Sequence, residues 1–94
     1  MIERNVTIQN PEGLHARPAG VFVKVASQFR STVKLRSGES LQNAKSIMSL
    51  MSMGLKSGAQ VTLVIEGEDE ALAADALAGL IDRQFTLLPR ESGA

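Results

Sequence analysis

Residues 13–29 read GLHARPAGVFVKVASQF, and two periodicities compete within them. Val21, Val23 and Val25 alternate as a strand would, whereas Ala19, Phe22, Ala26 and Phe29 fall on one helical stripe. Length and the stripe decide for a helix. Pro18 suits its first turn, where backbone N–H groups have no intrahelical acceptor, while Gly20 lowers the local propensity.

The flanks supply strands. Upstream, RNVTIQN alternates Val6 and Ile8 with polar neighbours, and Asn10-Pro11-Glu12-Gly13 closes the run with turn residues. Downstream, STVKLRSGESLQNA reads as a hairpin, with Val33 and Leu35 on one face, a turn at Ser37-Gly38-Glu39, and Leu41 on the return. KSIMSLMSMG fits a short helix with Ser46 as N-cap and Gly54 at its end. AQVTLVIEG is the most strand-like run. EDEALAADALAGLIDRQF is the clearest helix, with Glu68, Asp69 and Glu70 at its positive end and a buried stripe expected at Leu72, Ala73, Ala76, Leu77 and Leu80. The last ten residues, FTLLPRESGA, read as a partly ordered end, with 89–94 a flexible tail beyond one domain over 1–88. The order is β-α-β-β-α-β-α. It predicts an α+β fold with helices on one face of an antiparallel sheet.

Composition removes several functions. The chain has 94 residues and no cysteine, so disulfides, thiolate metal sites and thiol catalysis are out. Its single histidine cannot share a metal ion with a second, which leaves no expected metal or cofactor. A net charge of zero argues against direct nucleic-acid binding. No apolar run approaches a membrane span and the N-terminus lacks a signal-peptide pattern, so a cytoplasmic location is expected. The charges are uneven along the chain. Between Gly13 and Gln60, Arg17, Lys24, Arg30, Lys34, Arg36, Lys45 and Lys56 stand against Glu39 alone; from Val61 to Asp82, Glu66, Glu68, Asp69, Glu70, Asp75 and Asp82 occur without a cation. Either the basic half docks an acidic protein surface, or these are scattered solvated charges.

His15 sits where the first helix should begin. Free backbone N–H groups there disfavour added positive charge, so a ring nitrogen is available as a nucleophile. The same amides, those of Ala16 and Arg17, would receive a phosphate attached to that nitrogen. Arg17 adds a planar donor fork suited to phosphate oxygens. These residues fit a phosphohistidine. The plainer reading is a solvated turn histidine.

The segment GLHARPAGVFVKVASQF resembles the active-site stretch of HPr, the histidine-containing phosphocarrier family of the phosphoenolpyruvate-dependent sugar phosphotransferase system. AKSIMSLMSMGL resembles the family's second signature, and GAQVTLVIEGEDE its last strand and turn, so that the likeness runs from about residue 2 to 85. The resemblance implies an open-faced β-sandwich of four antiparallel strands and three helices (βαββαβα). It implies that His15 accepts a phosphoryl group on Nδ1 from phosphorylated enzyme I and passes it to an enzyme IIA domain. Such a protein is a monomeric carrier, turning over as a substrate of its partners rather than as a stand-alone catalyst.

The second signature carries two further expectations. Ser46 is the counterpart of the serine that HPr kinase/phosphorylase modifies in many relatives, which can link the protein to a catabolite-control transcription factor. A phosphate at that helix start meets a favourable dipole. The plainer reading is an ordinary N-cap. Ile47, Met48 and Met51 would by spacing suit a core, but the resemblance puts them at the surface beside His15 as a docking patch, while Leu50, Met53 and Leu55 point inward. Ser49 stands where many relatives carry lysine or glycine, which affects partner range. The resemblance also admits a paralogue serving a nitrogen-responsive or dihydroxyacetone-kinase branch, or a regulatory adaptor. Relatives specialised as adaptors tend to lack the histidine.

Overall fold

Strand formation follows the alternation of apolar side chains. In the computed structural model, which describes residues 1–86, Val61, Leu63 and Ile65 are buried while Gln60 and Glu66 are exposed, giving one strand over Gln60–Glu66. In chain order the elements are β1 (Ile2–Thr7), α1 (Ala16–Ala26), β2 (Thr32–Ser37), β3 (Ser40–Asn43), α2 (Ile47–Ser52), β4 (Gln60–Glu66) and α3 (Glu70–Asp82). The strands form one antiparallel sheet in the order β1-β4-β2-β3. Pairing Val33 with Ile65 and Leu35 with Leu63 puts one apolar row against the helices. A slip of one residue would turn that row to solvent, so burial fixes the register. The fold is the expected open-faced α+β sandwich.

The opening segment is helical. Ala19, Phe22 and Ala26 are fully buried, Val25 nearly so, and Phe29 packs half-buried beyond the helix end. Complete burial of Phe22 alone contributes roughly 1.5–3 kcal/mol. Pro18 occupies the third helical position, where its missing N–H removes no hydrogen bond.

Two expectations need correction, the buried stripe of α3 and the loose end at Phe85. In α3 the buried residues are Ala73, Ala74, Leu77, Ala78, Leu80 and Ile81. Leu72 is 68% exposed and Ala76 only half-buried. At 100° per residue Leu72 lies about 160° from the centre of that stripe. Asp69 takes the N-cap position of α3 without a side-chain cap bond, because its carboxylate turns to the α1–β2 loop. Phe85 belongs to the core rather than to a loose end: it is 7% exposed, and its amide donates to the Leu80 carbonyl at 2.8 Å. The 89–94 tail lies outside the described residues.

Arg30 and Glu68 bring the two charge sets into contact, while Arg4 and Glu3, which belong to neither set, pair with one member of each. Arg30 lies 3.6 Å from Glu68, Arg4 2.9 Å from Asp75, and Arg36 2.8 Å from Glu3. Exposed pairs of this kind add little stability. They do place the acidic turn before α3 against the basic loop after α1. Among the described residues no helix is long and apolar enough to cross a membrane.

Candidate functional site

The segment leading to His15 is held by backbone bonds from distant residues. Beyond β1, the Ile8 amide donates to Ala59 O (2.9 Å) and Gly58 donates back to Ile8 O (2.7 Å). The turn Asn10-Pro11-Glu12-Gly13 closes with Gly13 N to Asn10 O at 3.0 Å, and Leu14 N donates to Leu55 O at 3.0 Å. Gly13 has φ +69°, and a Cβ there would come within 2.6 Å of the Leu55 oxygen. Only glycine fits both the left-handed backbone and that approach.

Asn10 staples the turn from within. It is 2% exposed, and its Nδ2 donates to Gly13 O at 2.6 Å and to Glu12 Oε1 at 3.0 Å. Its Oδ1 is buried without a partner among the described residues. The turn signal was visible in the sequence, but neither Asn10 nor Glu12 stood out there as a site residue. An Asn-Pro-x-Gly turn directly before a helix-capping histidine was the available clue.

His15 occupies the N-cap position of α1 with an extended backbone (φ −102°, ψ −165°) and makes no side-chain cap bond. Its carbonyl accepts from Ala19 N at 2.9 Å, so the helix starts from its main chain while the ring stays exposed. The amides of Ala16 and Arg17 fall in the first turn, where a helix offers no acceptor. Arg17 is exposed and forms no ion pair among the described residues. Its side chain lines an open cleft of about 420 Å³ together with Asn10, Glu12, Pro18, Val21 and Phe85. The Glu12 carboxyl is held below its ordinary pKa, first by the Asn10 amide and then by its own backbone N–H, with smaller contributions from the charges of His15 and Arg17.

The second signature lies beside α1. Ile47 is 41% exposed, Met48 82% and Met51 44%, whereas Leu50 is fully buried. A Cβ on Gly20 would meet Ile47 Cδ1 at 3.9 Å, which seats this patch against the first half of α1. Leu55 is buried and Met53 half-buried, as expected. Ser46 caps α2, its Oγ accepting from Ser49 N at 3.3 Å. Its neighbour Lys45 donates from Nζ to Phe29 O at 2.8 Å. Among the described residues no three His, Cys, Asp or Glu side chains gather as a metal-binding group.

This arrangement is a helix start with an exposed imidazole, a guanidinium that has no ion pair among the described residues, and an adjoining apolar patch. Residues 2–83 match the family model described as the PTS HPr component phosphorylation site. The chain belongs to the HPr family. It is 44% identical over 81 residues to the phosphocarrier protein HPr of Lysinibacillus sphaericus, covering 86% of this chain and 92% of that one. The crystal structure of HPr-C-His from Thermoanaerobacter tengcongensis superposes with a TM-score of 0.88 at 45% identity, covering 94% of this chain and all of that one. A crystal structure of Crh from Bacillus subtilis, described as a dimer with a swapping domain, matches at 40% identity and TM-score 0.73 over 93% of this chain and all of that one. HPr-family membership makes the chain a phosphocarrier component of the phosphotransferase system.

Proposed function

We propose that His15 is the phosphoryl acceptor, taking the group on Nδ1 from phosphorylated enzyme I and delivering it to enzyme IIA domains in sugar uptake. The observation that carries this reading is His15, exposed at the N-cap of α1 with its ring unused for capping, next to Arg17, which has no ion pair among the described residues. In transfer, the Nδ1 lone pair attacks phosphorus and the donor N–P bond breaks, its electrons returning to the donor imidazole. Each ring keeps its own N–H, so no net proton is exchanged. The amides of Ala16 and Arg17 and the Arg17 guanidinium receive the phosphate oxygens. One guanidinium and two amides give a hold shallow enough to run both ways, since uniform extra stabilisation would slow one leg of the relay.

Ile47, Met48 and Met51 form the docking surface, where flexible methionines suit several partners. The protein acts as a cytoplasmic monomer. Ser46 is a second, regulatory phosphorylation site for an HPr kinase/phosphorylase: its phosphate would keep the favourable helix-start position while adding negative charge beside the docking patch. The likeness to Crh favours a second reading, a regulatory paralogue, but the histidine retained at position 15 supports the carrier.

Intact mass after incubation with enzyme I, magnesium and phosphoenolpyruvate tests the proposal. One acid-labile phosphate is expected on the wild type and none on His15→Ala. No phosphate on the folded wild type with the cognate enzyme I would overturn the carrier reading in favour of an adaptor. Prior modification of Ser46 is expected to slow the reaction, and an unchanged rate would count against regulation there.

A further inference from the structure

A phosphate post needs positive groups to hold its charge, yet this one carries a carboxylate within its first turn of chain. Glu12 is three residues before His15 and shares the cleft wall with Arg17. It does not pair with that arginine: among the described residues Arg17 has no ion pair, and the carboxylate is tied instead to the buried amide of Asn10 at 3.0 Å. That amide is itself fixed by the Gly13 carbonyl, and Gly13 is pressed against Leu55 and Lys56. The negative charge therefore stands at a set place in the cleft shared with Arg17, three residues before His15, anchored to the loop and forming no ion pair with the guanidinium among the described residues. The pull of both residues on the Glu12 carboxyl agrees with this placement.

We propose that Glu12 tunes the phosphoryl-transfer potential of His15, its fixed carboxylate repelling the phosphoryl group and so opposing the hold of Arg17 and the helix start. The inference rests on His15 being the acceptor. Its chemistry is one-sided: unphosphorylated His15 feels no repulsion, whereas the phosphorylated form adds a multiply charged anion beside a carboxylate. Glu12 therefore raises the free energy of the loaded carrier and favours onward transfer. Lys56, whose backbone abuts Gly13, is exposed and carries the opposite charge.

Glu12→Gln removes the charge but keeps an acceptor oxygen for the Asn10 amide, and Glu12→Asp keeps the charge. The equilibrium between phosphorylated enzyme I and this chain, read by intact mass, gives the partition directly. Glu12→Gln should shift it toward the phosphorylated carrier by about two- to fivefold at low salt, as for an exposed charge pair. The shift should fade as salt shortens the screening length to ~3 Å at 1 M, and Glu12→Asp should stay near wild type. Equal equilibrium constants for wild type and Glu12→Gln, or a difference that salt leaves unchanged, would overturn the role of Glu12 alone. A wild type that takes no phosphate from enzyme I would overturn the carrier reading along with it.

Discussion

The two ends of α1, about 16 Å apart at 1.5 Å per residue, treat their polar groups in opposite ways. Beyond its C-terminal end nearly every group is taken. The Phe29 carbonyl accepts from Lys45 Nζ, and the amides of Arg30 and Ser31 donate to the Asp69 carboxylate at 2.8 and 2.9 Å. The Ser31 hydroxyl donates to the same carboxylate. Gly67 lies so close that a Cβ would come within 2.6 Å of Ser31 Cα. The Asp69 pKa is lowered to about 2, chiefly by the Ser31 hydroxyl and then by the Arg30 amide. At the N-terminal end, His15 and Arg17 are exposed and their side chains make no hydrogen bond or ion pair among the described residues, while the loop behind them is fastened. One end spends its hydrogen bonds on holding elements together. The other keeps its donors for a guest.

If that division is right, Arg17→Ala should damage transfer and spare the fold. Removing one donor to a charged transition state slows reaction on the order of 10²-fold. Phosphorylation kinetics with enzyme I should show a loss of that size while Tm stays within a degree or two; equal loss of both would break the division. Asn10→Ala should blur it. Two bonds of a buried amide vanish, which costs about 1–3 kcal/mol. The loss should lie toward the lower end, because the substitution also removes the unpartnered Oδ1. Denaturant unfolding should report it, together with slower phosphorylation as the turn before His15 loosens.

Asp69→Asn probes the opposite end with the smallest effect. A carboxylate whose folded pKa is about 2, against an ordinary value of 3.8, adds stability that is present above pH 4 and lost as pH falls through 2. The wild-type Tm should therefore fall between pH 4 and pH 2, and Asp69→Asn should flatten that decline. Glu12 and Glu70, whose pKa values are also lowered, will keep part of the slope. Phosphorylation of His15 at neutral pH should not change.

Legibility in the sequence followed the reach of each interaction. The helical stripe of Ala19, Phe22 and Ala26, the alternation of Val61, Leu63 and Ile65, and the Ser46 cap are local patterns, and each took the expected form. His15 at the helix start was readable for the same reason. Leu72 misled because leucine is apolar wherever it stands, and only the angular position of the whole α3 stripe put it outside. Asp69 stands at the helix start as expected, but its hydrogen-bond partners lie 38 and 39 residues away, beyond any local window. The Asn10–Glu12 contact was near in sequence yet hidden, since a turn motif does not say which side chain will be buried.

The bonds that seat His15 have a consequence for the timing of synthesis. Ile8, Gly13 and Leu14 find their partners among Leu55, Lys56, Gly58 and Ala59. A growing chain that has exposed its histidine but not yet residue 59 has no platform on which to hold the ring in place. Such non-local closures come with loop entropy that must be overcome before the contacts form. With His15 as the proposed acceptor, competence to carry phosphate would arrive only once the segment leading into β4 has been made, and a half-made molecule would lack the partners that seat its histidine.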